Sequence, residues 1–226
     1  MPELNEDFKQ YLSPTPLLDC DHHEVINYAN RVTHNTSSQE EKAIALYYAV
    51  RDDIFYDPYR VSLAPEDLKA SVTLERKFGF CVSKAILLAA ALRVLGIPSR
   101  LGYADVRNHI TTERMKEKYI ESDLFVYHGY TDVFLNHRWV KATPAFNLSL
   151  CEKFHIKALE FDGKTDSIFH EYDEGGNKHM EYVNDHGTYA DVPLDDIRAA
   201  FYREYPNLMA QAAQPEGSFE EEAKPI

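Results

Sequence analysis

What the chain lacks already narrows what it can be. Three cysteines in 226 residues, Cys20, Cys81 and Cys151, are too few and too scattered for a disulfide framework, and the odd count leaves at least one thiol free. Basic charge is scarce too: 24 Lys and Arg stand against 37 Asp and Glu, a formal net charge of -13. That balance argues against nucleic acid as a partner, which needs clustered cations, and against an anionic membrane surface. No uninterrupted apolar run is long enough to span a bilayer. The acidic start from Met1 to Asp7 lacks the basic-then-apolar order of a secretory signal, so the expected location is cytoplasmic. Metal-ligand spacing is also missing. Asp19, Cys20, Asp21, His22, His23 and Glu24 are adjacent, point about 100° apart on a helix and do not converge. His170, His179 and His186 are scattered, so no metal or cofactor is expected. The sequence says nothing of oligomeric state.

What is present suits one compact unit. At 44% hydrophobic residues, the chain reads as a single domain over 1–210 with a core about 38–150, followed by a mobile acidic tail over 211–226. The central element is a helix from Ser83 to Leu95, bounded by Gly79 before it and by Gly96 and Pro98 after it. Its residues are apolar almost all round, leaving Lys84 and Arg93 to face water, so it should be buried. Cys81 falls at its first turn. There, free backbone N–H groups and the helix dipole favour a thiolate and would pull the thiol pKa below its free value of about 8.5.

A base for that thiol lies in a β-hairpin running from Phe125 to Pro144 with Asn136-His137 at the turn. Alternation puts His128, Tyr130, Asp132 and Phe134 on one face of its first strand. A two-residue turn pairs Leu135 with Arg138, hence Tyr130 with Thr143 and His128 with Ala145. Thr143 is then diagonal to His128. A cysteine at a helix start, a histidine on a strand and a polar group beside it form the constellation that thiol acyl transfer requires.

These segments resemble the transglutaminase-like superfamily. Cys81 with its small, apolar helix and the Arg-x-x-Gly-Ile-Pro-x-Arg run from Arg93 to Arg100 is similar to the family's nucleophile helix. His128 through Asp132, Arg138, Trp139 and Pro144 is similar to its His-x-x-x-[Glu/Asp] strand and Arg-Trp-Val hairpin, and Val50 to Asp57 to its approach to the cysteine. The resemblance implies an α+β, papain-like fold, with the nucleophile helix packed on an antiparallel sheet. It also implies a bacterial type of cysteine protease, amidase or transglutaminase in which Cys81 and His128 process a peptide or protein amide. The absence of further domains or an evident calcium loop favours hydrolysis. Where the family has Asp before Pro, this chain has Thr143. Thr143 orients His128, or Asn147 or Asp132 substitutes, or the triad is broken and the domain binds peptides without turning them over.

The remaining stretches yield coarser expectations. Asp7 to Thr15 reads as a short strand, and Asp21/Glu24 and Ser37/Glu40 as capping boxes opening helices over His22–His34 and up to Ile54. Ala64 to Asp67 starts a short helix. The loop before Phe78 forms a cleft wall with Tyr56 and Tyr59, and Tyr130 is a further lining candidate. Ser99 to Val106 is a strand. Asn108 to Ser122 is a charged helical insertion, either a lid or a solvated helix, and His109 within it is a weaker base. Strands or edges are expected at Ala158–Gly163 and Asp166–Phe169, and strands at Phe169–Tyr172 and Met180–Val183 about a turn at Glu174–Asn177, then an amphipathic helix from Asp195 to Tyr205. The backbone N–H of Cys81 would be one oxyanion donor; the second is not identifiable.

Overall fold

The computed structural model describes residues 6–108, 111–120, 122–168, 180–211 and 217–224. The N-terminal arm forms a helical turn, α1 (Glu6–Lys9), instead of the expected strand. Its apolar residues, Phe8, Tyr11 and Leu12, follow helical spacing, and Phe8 and Tyr11 lie 6.0 and 5.2 Å from the Trp139 ring. Helix α2 (His23–Val32) is capped by His22, whose Nδ1 accepts the Glu24 N–H, not by Asp21. Asp19 next door accepts from Ser71 N and Oγ instead, tying this corner to the later helix of residues 70–76. Helix α3 (Gln39–Asp53) has a capping box made by Ser38 and Glu41, one residue on from the expected pair. Glu40 is thereby freed to accept from Asn136 at the hairpin turn, at 2.8 Å.

Strand β1 (Phe55–Tyr56) runs parallel to β2 (Phe78–Gly79), and α4 (Pro65–Leu68) and α5 (Ala70–Arg76) lie between them in the chain. Helix α6 (Cys81–Val94) starts two residues before the expected boundary and ends at Gly96, whose φ of +69° favours a residue without Cβ. It is buried all round, Lys84 and Arg93 included, which corrects their expected exposure. A helix with protein on every side has no water face, so its charges must find partners inside.

The antiparallel sheet is ordered β5-β4-β3-β6, from β3 (Ser99–Asn108), β4 (Leu124–Leu135), β5 (Arg138–Ala142) and β6 (Met180–Tyr189). Helix α6 lies on β3 and β4, where Ser99 Oγ donates to Ala89 O and Thr131 Oγ1 to Ala85 O. Helices α2, α3 and α5 cover its other side. This is the α+β arrangement expected, with the cysteine helix on the sheet. The β4–β5 turn has two residues, Asn136 and His137 at φ +49° and +65°, and pairs Leu135 with Arg138.

Beyond the hairpin come α7 (Leu148–Phe154), α8 (Leu194–Glu204), α9 (Pro206–Gln211) and α10 (Phe219–Glu222). The strands expected over 158–168 are absent: one bridge, Ala142 to Ser167, is all that forms there. The segment's hydrogen bonds go to side chains, with Asp162 accepting from Lys164 N and Thr165 N. His109, His170, His179, the Phe169–Tyr172 stretch and the turn at Glu174–Asn177 lie outside the described residues. The tail is not loose where it is described. Phe219 is buried, and removing a Phe side chain from water is worth about 1.5–3 kcal/mol. Among the described residues no helix is long and apolar enough to cross a membrane.

Candidate active site

The β1–β2 pair sets Tyr56 opposite Gly79 and delivers Phe80 and Cys81 beside that wall. Ser83 Oγ accepts the Phe80 N–H at 3.0 Å, so the entry to α6 is capped from within the helix. On the facing strand, Gly129 permits close approach: a Cβ there would stand 3.0 Å from Val82 Cα and 3.4 Å from the Cys81 carbonyl carbon. The backbone N–H groups of Gly129, Val82 and Cys81 itself favour the charged form of the thiol.

His128 immediately precedes Gly129. Before it, Tyr127 has φ +50° and the β3–β4 ladder slips between Ala104 and Val106, a bulge of the kind that re-aims side chains. Cys81 and His128 line one small cavity of about 30 Å³, with Tyr56, Phe80, Phe125 and Phe201. Burial raises the Cys81 thiol to about 11, although the three N–H groups oppose the rise. Burial alone lowers His128 to about 4. Near pH 7 the pair is therefore a neutral thiol and a neutral imidazole. The expected thiolate is reversed here because desolvation outweighs the helix N-terminus in a cavity with room for little more than one water.

The three candidates for a third member are placed differently. Thr143 is buried beyond the last ladder pair, Thr131–Ala142, and its Oγ1 has no hydrogen bond among the described residues. The ladder thus stops one pair short of the Tyr130–Thr143 pair from which the diagonal contact was expected. Asn147 accepts the Tyr56 N–H on Oδ1 at 2.9 Å and donates from Nδ2 to Ser149 Oγ at 2.8 Å, so it braces the wall. Asp132 pairs with Arg100 at 2.8 Å. Of the lining candidates, Tyr56 reaches the cavity. Tyr59 stands behind it, its hydroxyl 2.5 Å from Thr112 Oγ1 and 2.8 Å from Glu222 Oε2. Tyr130 lies over Gly102 in the sheet, with Lys141 Nζ 4.9 Å from its ring.

Several neighbours of the cavity were invisible in the sequence. Met115 and Ile120 line it from the 111–120 segment, which forms a wide, π-type helical turn at Met115–Tyr119 with both end residues buried. Tyr205 ends the amphipathic helix read from the sequence, but its role is long-range: its hydroxyl accepts Val126 N–H at 2.5 Å and donates to Leu124 O at 2.9 Å. Tyr103 is paired across the strands with Gly129, and its buried hydroxyl has no hydrogen bond among the described residues. Cys20 and Cys151 are free and buried. No group of three His, Cys, Asp or Glu suited to a metal occurs among the described residues, and His186 is engaged with Asp105 at 2.7 Å.

An antiparallel sheet backed by a buried helix that begins with cysteine defines the papain-like, transglutaminase-like class of folds. The sequence model of the transglutaminase-like superfamily matches residues 26–144, and the chain belongs to that superfamily. Among solved structures it is similar to one named a putative cysteine protease from Cytophaga hutchinsonii, at 16% identity and TM-score 0.50, over 84% of this chain and 57% of that one. The chain thus spans little more than half that protein's length, and the likeness is one of fold. It is also similar to an arylamine N-acetyltransferase from Mycobacterium abscessus, at 12% identity and TM-score 0.46, over 92% of this chain and 76% of that one. A protein named a putative protease from Parabacteroides distasonis matches at 14% identity and TM-score 0.39, over 63% of this chain and 26% of that one. No curated protein matches the sequence.

Proposed function

We propose that the chain is a cysteine-dependent acyl-transfer enzyme acting on amide bonds of a peptide or protein. One observation carries the reading: Cys81 and His128 line the same small cavity at the start of α6. A neutral imidazole is a competent proton acceptor. As Sγ attacks the carbonyl carbon, His128 takes the thiol proton, then returns it to the departing amine nitrogen as the C–N bond breaks, leaving an acyl-enzyme. Water resolves that intermediate in a protease or amidase, an amine in a transferase. Hydrolysis is the preferred outcome, and the name of one structural neighbour, a putative cysteine protease, agrees with it.

A second reading, a peptide-binding module without turnover, is favoured by one feature, the missing Asp at Thr143, whose hydroxyl makes no hydrogen bond among the described residues. The deciding measurement is the pH dependence of Cys81 alkylation by iodoacetamide, read by peptide mass spectrometry, in the parent and in His128→Ala. Base assistance predicts a fall of about tenfold or more at pH 7 in the variant, with Cys20 and Cys151 unchanged. Identical Cys81 profiles would discard the catalytic reading in favour of the binding module.

A further inference from the structure

The outer wall of the Cys81 cavity is braced by the chain's own C-terminal segment. Phe219 is 2% exposed and sits among Tyr56, Tyr59 and Phe154, with ring centroids at 5.7, 5.5 and 5.9 Å in edge-on contact. The three rings come from three separate parts of the chain: β1, the 58–60 turn and α7. Three residues on, Glu222 accepts from the Tyr59 hydroxyl and from Arg114 Nε, each at 2.8 Å. One carboxylate thus joins the tyrosine wall to the segment that carries Met115 and Ile120 over the cavity. Glu220 adds a bond from Ser149 Oγ at 2.6 Å, and its carbonyl takes Lys153 Nζ at 2.9 Å. Alongside, a groove of about 450 Å³ remains open, bordered by Arg60, Arg76, Lys77 and Lys153. A four-residue helix has no stability of its own, so its shape is imposed by the surface that receives it.

We propose that this surface is a docking subsite for a peptide segment with an aromatic anchor and a carboxylate three residues later, and that Phe219–Glu222 fills it in cis. The aromatic box supplies a buried anchor pocket, and Tyr59 with Arg114 supplies the carboxylate clamp. Along the open groove Lys77 and Lys153 join Arg60 and Arg76, which already pair with Asp57 and Asp67, and these cations suit further acidic residues on such a segment. That the bound segment belongs to a substrate rests on the amide-processing reading; the docking itself does not. Occupation holds Tyr56, Tyr59 and the 111–120 segment closed over Cys81, and an incoming segment must displace the tail before it can dock.

The test uses the full-length chain carrying Phe219→Ala and a fluorescent peptide of residues 217–224, Gly-Ser-Phe-Glu-Glu-Glu-Ala-Lys. The variant should bind the peptide saturably and about tenfold or more tighter than the parent, whose subsite is filled. A peptide with Ala in place of Phe should not bind. Cys81 should alkylate several-fold faster in the variant while Cys20 keeps its parental rate, and added peptide should slow Cys81 again. Absence of peptide binding to the variant overturns the proposal, as does an unchanged Cys81 rate. Should Cys20 accelerate equally, the variant has loosened globally, and Glu222→Gln decides instead. It keeps the anchor, and parental Cys81 reactivity there overturns the proposal. Peptide binding alongside identical parent and His128→Ala alkylation profiles would sink the catalytic reading alone; the reverse pattern would sink the docking subsite alone.

Discussion

At position 143 a threonine is 1% exposed and its hydroxyl is unbonded among the described residues; desolvating such a group without a partner costs about 1–3 kcal/mol. Thr143→Val keeps the shape and removes that cost, so urea denaturation should show stability unchanged or raised by about 1 kcal/mol. If Thr143 turns to His128 in the working state, the same variant loses Cys81 reactivity at pH 7 without losing stability. A drop in both would mean the hydroxyl has a structural partner. The residue scale is also where sequence reasoning was most uneven. Cys81 and His128 could be found from a helix boundary and a strand alternation, and they do share a cavity. Their protonation could not, because it depends on how tightly Tyr56, Phe80, Phe125 and Phe201, two of them distant in sequence, exclude water.

Among the elements, α6 shows how a lysine is accommodated without water. Lys84 donates to Arg51 O at 2.9 Å and to Ile54 O at 2.5 Å, capping the last turn of α3, where a helix presents unsatisfied carbonyls. Burial lowers its pKa from 10.5 to about 7. The unfolded chain therefore keeps this proton to higher pH than the native one, and stability must rise with pH between those values and stay flat below 7. Cys81 and Cys151, shifted upward, oppose the gain from about pH 9. Between pH 7 and 8.5 the parent should gain about 1–2 kcal/mol in urea denaturation, and Lys84→Met should show no such gain. An equal gain in both would assign it to other groups. Helix periodicity identified α6 but sent Lys84 outward, because a wheel drawn for one helix does not contain the carbonyl end of another.

Across the whole molecule, Arg93 holds three distant segments together. It donates to Ser13 O at 2.7 Å, to Ala190 O at 2.6 Å and twice to Ser99 O, linking the N-terminal arm, the start of β3 and the passage from β6 to α8. Arg93→Met strands those carbonyls and should cost about 3 kcal/mol, visible as a lower urea midpoint with an unchanged slope. A shift under about 0.5 kcal/mol would deny it that role. Its partner in the family motif, Arg100, pairs with Asp132 and lies 4.0 Å from the Trp139 ring. The Arg-x-x-Gly-Ile-Pro-x-Arg run is thus a signature of architecture, which is why it announced the fold more surely than the chemistry. The docked tail escaped notice for a related reason: it is fixed by one aromatic residue, Phe219, a signal without period.

The burial of α6 on every side has a consequence for the timing of motion. Its amides can exchange with solvent only when the sheet and the covering helices part together, that is, through global unfolding. The tail and the 111–120 segment hang on a few bonds and can open at far lower free energy. The sulfur's position therefore lasts as long as the folded molecule does, while entry to it can be granted and withdrawn many times within that lifetime.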